Sequence, residues 1–365
     1  MRVLLTGGGT GGHIYPALAL ANHLKNQDPS TEFLYIGTEN GLEADIVPKA
    51  GYNMSSINVS GFKRKLSLHN FKVLYQFMTA CLNTRKIIKQ FKPDIAIGTG
   101  GYVAGPVIYT AEKMGIPTII HEQNAVPGLT NKFLARIADT VAVTFPESDK
   151  LFNKAKKVVV TGNPRASEVA IADATKGREA LKLSNSLPIV LVVGGSRGAK
   201  AINDSMEQLL IDNNDLPFQL IFVTGNIHFD RFNNMKRSNN VHIVPFLYNM
   251  PDVLACTDLV IGRAGATFLA EITSLGIPAI LIPSPYVTNN HQLHNAKALE
   301  SVRAAVIIEE KNLHTIKLAD EIMKLLNNTF AMEEYKASSK KLGLPNSAEL
   351  LIKEIKLLTK LKQIT

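Results

Sequence analysis

The chain is poor in cysteine and lacks any long hydrophobic run. Its two cysteines, Cys81 and Cys256, lie far apart in apolar stretches, without the spacing of metal ligands. We therefore expect two buried thiols in a reducing compartment. The longest apolar runs, such as 277–283, are far shorter than the roughly 20 residues that cross a bilayer. The apolar segment after Met1 meets glycine at Gly7, which is not typical of a signal peptide. The sequence therefore predicts a cytoplasmic protein that does not span a membrane.

Acidic residues are missing from one long stretch. None occurs between Asp45 and Asp94, where basic residues recur, namely Lys49, Lys63, Arg64, Lys65, Lys72, Arg85, Lys86, Lys89 and Lys92. The whole chain has a formal net charge of +9, which favours nucleic acid, phosphorylated ligands or an anionic membrane surface as partners. A hydrophobic content of 45% against 19% charged residues is ordinary for a globular protein, and 365 residues suit two domains.

Three glycine-rich turns each follow a short apolar strand. They span 7–13, 98–106 and 194–199. Glycine at such a junction lets the backbone approach a ligand closely, and the helix that follows presents its first N–H groups to an anion. One such turn is a weak signal, because glycine also serves tight turns that bind nothing. Two turns in the first half and one in the second predict two nucleotide-binding-type domains that face a shared cleft.

Short β-branched runs alternate with helical stretches, which is the pattern of a parallel α/β sheet. The predicted strands are 2–6, 33–36, 94–98, 117–120, 139–143 and 157–161 in the first half, and 188–193, 219–223, 241–244, 258–262, 279–282 and 304–308 in the second. The turn-rich segment 161–165 is the natural seam. We predict an N-terminal domain over 1–162, a second domain over 163–343 and a C-terminal helix over 344–365 that packs back on the first domain. The apolar stripe of this helix is Leu351, Ile355, Leu358 and Leu361.

His13 lies on the first glycine turn, at the start of the predicted helix. An imidazole titrates near neutral pH and can act as a base toward a sugar hydroxyl. It can equally donate a hydrogen bond to phosphate or cap the helix. The spacing Gly7-x-Gly9-x-x-Gly12 also fits a dinucleotide fingerprint, with Glu39 as the ribose-binding acid. A nicotinamide-dependent dehydrogenase is therefore a competing hypothesis.

Polar side chains follow the predicted strand 117–120, at the strand end where α/β sheets bind ligands. They are His121, Glu122, Gln123 and Asn124. Glu122 is the second candidate for the base after His13. His121 and Glu122 can also merely pair with each other, an alternative that applies less well to Asn124.

Glu271 lies one turn into the predicted helix that follows the segment 262–267. A carboxylate there can accept both ribose hydroxyls of a nucleotide while the helix N-terminus holds phosphate, although the helix dipole alone also favours an acid near that end. The polar loop 289–292 suits hydroxyl recognition. The third glycine turn and this ribose-type site argue against a dehydrogenase, and polar loops in both halves argue against a non-catalytic binding module.

The basic stretch includes a predicted helix with two apolar groups. Phe71, Leu74, Tyr75, Met78 and Leu82 form a helical stripe that we expect to be core. Val73 and Phe77 lie off this stripe, near Lys72 and the run Lys63, Arg64 and Lys65. Apolar residues ringed by basic ones suit shallow contact with anionic headgroups, and a solvated basic face is the alternative.

In their order along the chain, these motifs resemble those of the MurG family of bacterial peptidoglycan glycosyltransferases. The resemblance runs essentially end to end and is carried by 7–13, 98–106, 121–124, 161–165, 194–199, 263–271 and Gln292. Two positions depart from the family pattern. His291 stands where many members have the first of two glutamines, and Ala264 replaces a serine often found after the arginine.

The resemblance implies a GT-B fold, an α/β architecture of two Rossmann-like parallel-sheet domains with the active site in the cleft between them, and no required cofactor or metal. It implies an inverting enzyme that moves GlcNAc from UDP-GlcNAc to the C4 hydroxyl of undecaprenyl-diphospho-MurNAc-pentapeptide, so that lipid I becomes lipid II. The implied partners are the donor, the lipid-linked acceptor, an anionic membrane surface and cell-wall synthesis proteins, not nucleic acid. The implied location is peripheral, at the cytoplasmic face of the cell membrane. A GT-B transferase acting on a diacylglycerol lipid is the nearest alternative.

The same resemblance implies roles for individual residues. Ser196 contacts the diphosphate, the Leu247 backbone contacts uracil, Glu271 binds the ribose and Gln292 binds the sugar hydroxyls. The donor also meets a helix start made of Ala266, Thr267, Phe268, Leu269 and Ala270. It is faced from the first domain and the seam by Thr10, Gly11, Gly12, Asn124 and Arg165. The acceptor binds the glycine turns of the first domain, including Gly100, Gly101 and Tyr102.

Overall fold

The structure is a computed structural model that describes residues 1–61, 68–195, 198–233, 235 and 238–364, without the side chains of 68–72, Thr288 and 362–364. The chain divides into two compact units. The first comprises Met1–Arg165 and the C-terminal segment from Asn346, and the second comprises Ala166–Pro345. The division lies at the end of the predicted seam.

Within the described residues, the first unit contains a seven-stranded sheet in the order β3-β2-β1-β4-β5-β6-β7, with every pair parallel. The strands are β1 (Arg2–Thr6), β2 (Glu32–Gly37), β3 (Met54–Ser56), β4 (Ile95–Gly98), β5 (Thr118–Glu122), β6 (Thr140–Val143) and β7 (Val158–Val160). The helices are α1 (Gly11–Gln27), α2 (Glu43–Lys49), α3 (Leu68–Phe91), α4 (Ala104–Lys113) and α5 (Leu129–Leu134), with a 3-10 helix at Pro146–Leu151.

The second unit contains, in its described part, a six-stranded parallel sheet in the order β10-β9-β8-β11-β12-β13. The strands are β8 (Ile189–Val193), β9 (Gln219–Val223), β10 (Val241–Val244), β11 (Leu259–Gly262), β12 (Ala279–Leu281) and β13 (Ala305–Ile307). The helices are α6 (Arg165–Ala170), α7 (Ala174–Leu181), α8 (Lys200–Asp212), α9 (Met250–Ala255), α10 (Ala266–Leu275), α11 (His291–Glu300), α12 (Leu318–Leu326) and α13 (Thr329–Leu342), with 3-10 helices at Phe229–Phe232, Thr288–Asn290 and Glu310–Asn312.

Alternate residues of β1 pack on opposite faces of the first sheet, since successive side chains of a strand point to opposite sides. Val3 and Leu5 are buried in one core with α1, and Leu4 is buried in the other core with α3 and α4. Both faces of a parallel sheet are covered in this way, which explains the continuous apolar run of β1. Each predicted strand matches an observed one. The additional strand β3 is three residues long and carries no β-branched run.

The C-terminal helix α14 (Ser347–Ile364) packs on the first unit. Its residues Leu351 and Ile355 share a core cluster with Val3 and α1. The predicted stripe is wrong at its far end, because the Leu361 side chain is 61% exposed.

The predicted faces of α3 are reversed in the structure. Val73, expected off the buried stripe, is 1% exposed, and the Phe77 ring is half-buried with its centroid 5.9 Å from that of Tyr109. Four of the five residues expected in the core are instead exposed, namely Leu74, Tyr75, Met78 and Leu82, and the side chain of the fifth, Phe71, lies outside what the structure describes. The buried face continues for three further turns through small and branched residues, Ala80, Thr84 and Ile88, whose modest side chains make this face less conspicuous in the sequence than the exposed one.

Two further sequence predictions concern the thiols and the membrane. Cys256 is buried and Cys81 is half-buried, and burial raises the pKa of both thiols. Among the described residues, no helix has the length and apolar character needed to cross a bilayer.

Candidate active site

Three loops of the first unit leave neighbouring strands at the same edge of the sheet. They follow β1, β4 and β5, which are adjacent in the sheet order. The strand order reverses between β1 and β4, and open α/β sheets bind ligands at such a reversal, beyond the carboxyl ends of the strands. Two of the loops are the first two glycine turns, and the third contains the polar residues that follow His121.

The first two glycine turns contact each other through their backbones. The N–H of Gly8 donates to the Gly100 carbonyl at 3.3 Å. A Cβ on Gly101, whose φ is +80°, would lie 2.4 Å from the Gly8 carbonyl oxygen. Glycine is therefore required at 101 both by its left-handed backbone and by the close approach of the two turns.

His13 lies in the first turn of α1 and folds back over the glycine turn. Its Nδ1 is 2.8 Å from the Gly8 carbonyl oxygen, and because a carbonyl only accepts, Nδ1 carries the proton in the neutral ring. Nε2 then holds the basic lone pair. A Cβ at position 100 would lie 3.0 Å from Nε2 and 2.8 Å from Cδ2, so any larger residue at position 100 would press on this edge of the imidazole.

Two side chains that sequence reasoning missed support the first glycine turn. The Tyr35 hydroxyl donates to the Gly7 carbonyl at 2.7 Å. Burial, with the nearby carboxylate of Glu43, raises the pKa of Tyr35, which keeps this hydroxyl protonated as a donor. The Glu43 carboxylate accepts from the N–H of Gly9 at 3.1 Å. In the sequence, Glu43 stands out only as an acidic residue between Gly41 and Gly51, at the start of α2. Such a position is too common to indicate a functional role.

His121 is fully buried and has a structural environment. Its Nε2 donates to the Gly162 carbonyl at 2.8 Å, and its Nδ1 accepts from the Gln123 amide at 2.9 Å. The same amide donates to the Thr99 carbonyl. Burial lowers the pKa of His121, and the hydrogen bond to Gly162 opposes this only partly. A neutral His121 thus ties β5 to the second glycine turn and to the seam.

The Glu122 carboxylate is 2% exposed and accepts four hydrogen bonds. Oε1 accepts from the backbone and side-chain N–H groups of Asn124 at 3.0 and 3.2 Å. Oε2 accepts from Gly128 N at 3.1 Å and from Asn131 Nδ2 at 2.9 Å. The side chains of Glu122 and His121 make these hydrogen bonds with different residues, although the Asn131 amide also donates to the His121 backbone carbonyl at 3.1 Å. Glu122 organises the loop that carries Asn124.

The remaining predicted residues of the first unit lie around the same turn. Thr10 is exposed, with its hydroxyl 3.3 Å from His13 Nδ1. The Arg165 guanidinium lies over the Tyr15 ring, 5.7 Å from its centroid. Tyr102 is 39% exposed, and its ring lies 3.7 Å from where a Cβ of Gly9 would be. Gly11 and Gly12 begin α1.

Some predicted membrane and donor residues fall outside what the structure describes. Lys63, Arg64, Lys65 and Ser196 lie outside the described residues, and the side chain of Lys72 is also not described.

In the second unit, the third glycine turn packs against the end of β9. A Cβ on Gly198, whose φ is +73°, would lie 2.0 Å from the Thr224 carbonyl oxygen. The same carbonyl accepts from Asn203 of α8 at 2.9 Å. Gly198 and the start of α8 are thereby held at the carboxyl edge of the sheet, beside the strand-order reversal between β8 and β11.

The other predicted donor residues lie in the segments that follow β10, β11 and β12. Leu247 is buried, so that a ligand there would meet its backbone, and the flanking rings of Phe246 and Tyr248 are 5.0 Å apart. Glu271 is 6% exposed on α10. The Gln292 side-chain oxygen accepts from Ser284 N at 2.9 Å, which orients the amide. In α10, Ala266, Leu269 and Ala270 are buried and Thr267 and Phe268 are half-buried.

Family models match most of both units. The glycosyltransferase family 28 N-terminal domain matches residues 3–143, and the glycosyltransferase family 28 C-terminal domain matches residues 189–351. The chain belongs to glycosyltransferase family 28. Across the part of this family 28 chain that the structure describes, no group of three or more histidine, cysteine, aspartate or glutamate side chains is arranged to hold a metal ion.

Curated relatives of this family 28 chain match over nearly its full length. A protein of Bacillus cytotoxicus is 50% identical over 364 residues, which is 99% of this chain and 100% of the relative. One of Halalkalibacterium halodurans is 48% identical over 362 residues, covering 97% and 99%. Both are named UDP-N-acetylglucosamine--N-acetylmuramyl-(pentapeptide) pyrophosphoryl-undecaprenol N-acetylglucosamine transferase.

Solved structures agree with the family 28 assignment. MurG of Acinetobacter baumannii superposes with a TM-score of 0.76 at 29% identity, covering 97% of this chain and 99% of that one. CalG4, the calicheamicin glycosyltransferase, has a TM-score of 0.69 at 13% identity, covering 98% of each chain, and so supports the fold alone. The resemblance to MurG and the predicted GT-B class, with two Rossmann-like parallel-sheet units, are confirmed.

Proposed function

We propose that this chain transfers GlcNAc from UDP-GlcNAc to the C4 hydroxyl of the muramyl sugar of undecaprenyl-diphospho-MurNAc-pentapeptide, with inversion at the GlcNAc C1. The observation that carries the proposal is 48–50% identity, over nearly the full chain, with relatives whose names describe this transfer. The site of the first unit supports it, because the half-buried imidazole of His13 donates through Nδ1 to Gly8, which leaves Nε2 as the basic nitrogen for activation of a hydroxyl.

In this reaction the acceptor hydroxyl attacks C1 of GlcNAc, its proton goes to a general base, and the C1–O bond breaks so that its electron pair leaves with UDP. We assign the base to His13. Its Nδ1–H donates to Gly8 at 2.8 Å, which directs the basic lone pair to Nε2, whereas the four hydrogen bonds to Glu122 occupy the carboxylate that would otherwise compete for this role. The acceptor diphosphate is assigned to the glycine turns, including Gly100, Gly101 and the partly exposed Tyr102.

We assign donor binding chiefly to the second unit. Ser196 and the N-terminus of α10, formed by residues 266–270, take the diphosphate, because helix N–H groups and hydroxyls stabilise the charge of a departing UDP. Glu271 takes the ribose hydroxyls, the Leu247 backbone takes uracil and Gln292 takes the sugar. The donor contacts assigned to the first unit and its boundary are Thr10, Gly11, Gly12, Asn124 and Arg165.

We also propose that the enzyme works while docked on an anionic membrane surface, because a prenyl-linked acceptor stays in the bilayer. The docking face is the exposed side of α3, made of Leu74, Tyr75, Met78 and Leu82. On a helix of 3.6 residues per turn, the exposed Arg85, Lys86 and Lys89 fall on the same side. Apolar residues beside basic ones favour shallow binding to anionic headgroups. Val73 and Phe77, which the sequence suggested as the apolar membrane contacts, do not belong to this face because they pack inward.

Vesicle sedimentation tests the docking face. A variant with Ser at positions 74, 75, 78 and 82 should lose binding to anionic vesicles yet keep nearly normal activity on a short-chain, water-soluble acceptor. The matched control places Ser at Ile171, Ile211 and Phe330, which are exposed apolar residues of the second unit, and should sediment like wild type. Equal sedimentation of the α3 variant and wild type would reject this face.

The transfer itself is tested with radiolabelled UDP-GlcNAc and two acceptors, lipid I and diacylglycerol. We expect label only in the lipid-linked disaccharide. The Glu271→Ala variant is the control for donor binding, because losing hydrogen bonds between a carboxylate and the ribose should weaken UDP binding at least about tenfold. Label in diacylglycerol but not in the muramyl lipid would establish the alternative acceptor and overturn the proposal.

A further inference from the structure

Glu43 is a fully buried carboxylate whose two oxygens have different partners. Oε1 accepts from the N–H and the hydroxyl of Thr38 at 3.1 and 2.7 Å. Oε2 accepts from the N–H of Gly9 at 3.1 Å. The Thr38 contacts explain how Glu43 stabilises the turn from β2 to α2. They do not explain why the second oxygen reaches across to the first glycine turn.

The N–H of Gly9 and the carbonyl of Gly8 belong to one peptide group, and that carbonyl accepts from His13 Nδ1 at 2.8 Å. In a planar trans peptide, the N–H and C=O bonds point in opposite directions. Glu43 and His13 therefore contact opposite edges of a single peptide group. A carboxylate on the N–H side polarises the peptide and makes its carbonyl oxygen a stronger acceptor, since hydrogen bonds in a chain strengthen one another.

The surroundings of Glu43 leave its carboxylate little room for another position. A Cβ on Gly8 would lie 2.5 Å from Oε1, and one on Gly41 would lie 2.3 Å from the same atom. A Cβ on Gly37 would lie 2.6 Å from the Glu43 Cγ. Three glycines thus pack closely around this side chain, so that its contact with Gly9 is held by the fold.

We propose that Glu43 is a positioning residue for the transfer reaction, acting through the Gly8–Gly9 peptide to hold His13 as the Nδ1–H tautomer and to stabilise the imidazolium that forms. The inference rests on the proposed function of His13 as the base. The acceptor proton goes to Nε2 of His13, and no proton passes through the peptide. The arrangement does what a carboxylate does when it contacts a catalytic histidine directly, with one peptide group inserted between them.

The tautomer of His13 can be measured without turnover. In protein with ¹⁵N-labelled histidine, long-range ¹H–¹⁵N spectra distinguish the protonated ring nitrogen from the other one, and the signal missing in His13→Asn assigns the ring. Wild type should show the neutral His13 ring protonated on Nδ1, and Glu43→Gln should shift the population toward Nε2–H. Thr38→Val is the matched control, because it removes one donor from the same carboxylate but leaves the Gly9 contact, and it should match wild type.

Kinetics supply the second readout. Glu43→Gln should lower kcat by roughly 10–100-fold, as loss of an outer-shell partner typically does, with KM for UDP-GlcNAc unchanged and Thr38→Val close to wild type. Adding Glu43→Gln to His13→Asn should cause no further loss, because the effect acts through His13. If Glu43→Gln does not fold, Glu43→Asp replaces it with the same expectations, since the shorter carboxylate withdraws from Gly9.

An Nε2–H ring in wild type, or an unchanged tautomer in the folded Glu43 variant, would overturn the inference whatever the activity. So would equal loss of kcat in Glu43→Gln and Thr38→Val. Full activity of His13→Asn would instead remove His13 from the reaction, a failure of the proposed function that the tautomer spectra separate from a failure of the Glu43 contact.

Discussion

Two histidines lie at the carboxyl edge of the first sheet, and each contacts the carbonyl oxygen of a glycine at 2.8 Å. His13 contacts Gly8 through Nδ1, whereas His121 contacts Gly162 through Nε2. The other ring nitrogen of His121 accepts from a neighbouring amide, and its ring is fully buried. His13 is only half-buried, and its other ring nitrogen lies at the edge where Gly100 has no side chain.

The comparison shows that residue type and a glycine partner do not decide what a histidine does. His121 uses both nitrogens to join parts of the protein, so its protonation works against the fold. His13 uses Nδ1 to fix its tautomer, so that the basic lone pair is on Nε2, next to Gly100.

Replacing His13 by Asn should lower kcat by about 10²–10⁴-fold, the usual cost of losing a general base. The Asn amide can donate to Gly8 in place of Nδ1 but supplies no basic nitrogen, so KM for UDP-GlcNAc should stay near wild type. Steady-state kinetics with lipid I measure both constants. A raised KM for the acceptor with normal kcat would make His13 a binding residue, and the contrast with His121 would lose its catalytic meaning.

Replacing His121 by Phe should lower the free energy of unfolding by about 1–3 kcal/mol, because two buried hydrogen bonds of the imidazole, to the Gly162 carbonyl and from the Gln123 amide, are lost. Urea unfolding measures this change. The kcat per folded enzyme should stay within several-fold of wild type. A stable His121→Phe protein with a large loss of kcat would show that His121 takes part in turnover, which would remove the distinction between the two histidines.

Replacing Gly100 by Ala should place a methyl group against the reactive edge of His13. The added Cβ would lie 2.8 Å from Cδ2, at a position whose φ of +107° disfavours any side chain. We expect about 1 kcal/mol of lost stability and about a tenfold lower kcat, the equivalent of 1.4 kcal/mol in the barrier. Kinetics and urea unfolding separate the two effects, and unchanged kcat would place the acceptor hydroxyl away from this edge.

Mild acid should weaken the fold slightly through His121. Burial lowers the pKa of His121 in the folded protein, so below the ordinary value of about 6.5 the unfolded chain binds a proton that the folded chain does not. The effect is absent well above that value, and the loss of stability at pH 6 should not exceed about 1 kcal/mol. Comparing urea unfolding at pH 6 and 7.5 in wild type and His121→Phe isolates it, and equal pH dependence in the two proteins would contradict the assignment.

Much of the fold and part of the site followed from local sequence patterns. Glycine turns after short apolar strands such as 3–5 indicated strand-to-helix junctions, because few other residues permit the backbone that such junctions need. The alternation of strands and helices indicated two parallel sheets. His13 was found because it stands on one of these turns. The polar group around Asn124 was found because it follows a strand.

The roles of the buried acids could not be predicted in this way. Glu43 lies 34 residues from the glycine it contacts, and sequence spacing says nothing about such a contact. Glu122 was a candidate base because it lies at the strand end where α/β sheets bind ligands. Its four donors come from three residues, Asn124, Gly128 and Asn131, which only the folded loop brings together.

What the sequence determined by itself is therefore the set of local conformations: which segments extend, where the chain must turn on glycine, and which residues stand at those turns. The tertiary structure decided which face of each element meets a core. In α3 the apolar pattern allowed two faces, and packing against α4 selected the face of Val73 and Phe77 over that of Leu74 and Tyr75. Local conformation depends on neighbours in the chain, whereas burial and hydrogen-bond partners depend on segments that are distant in sequence and adjacent only after folding.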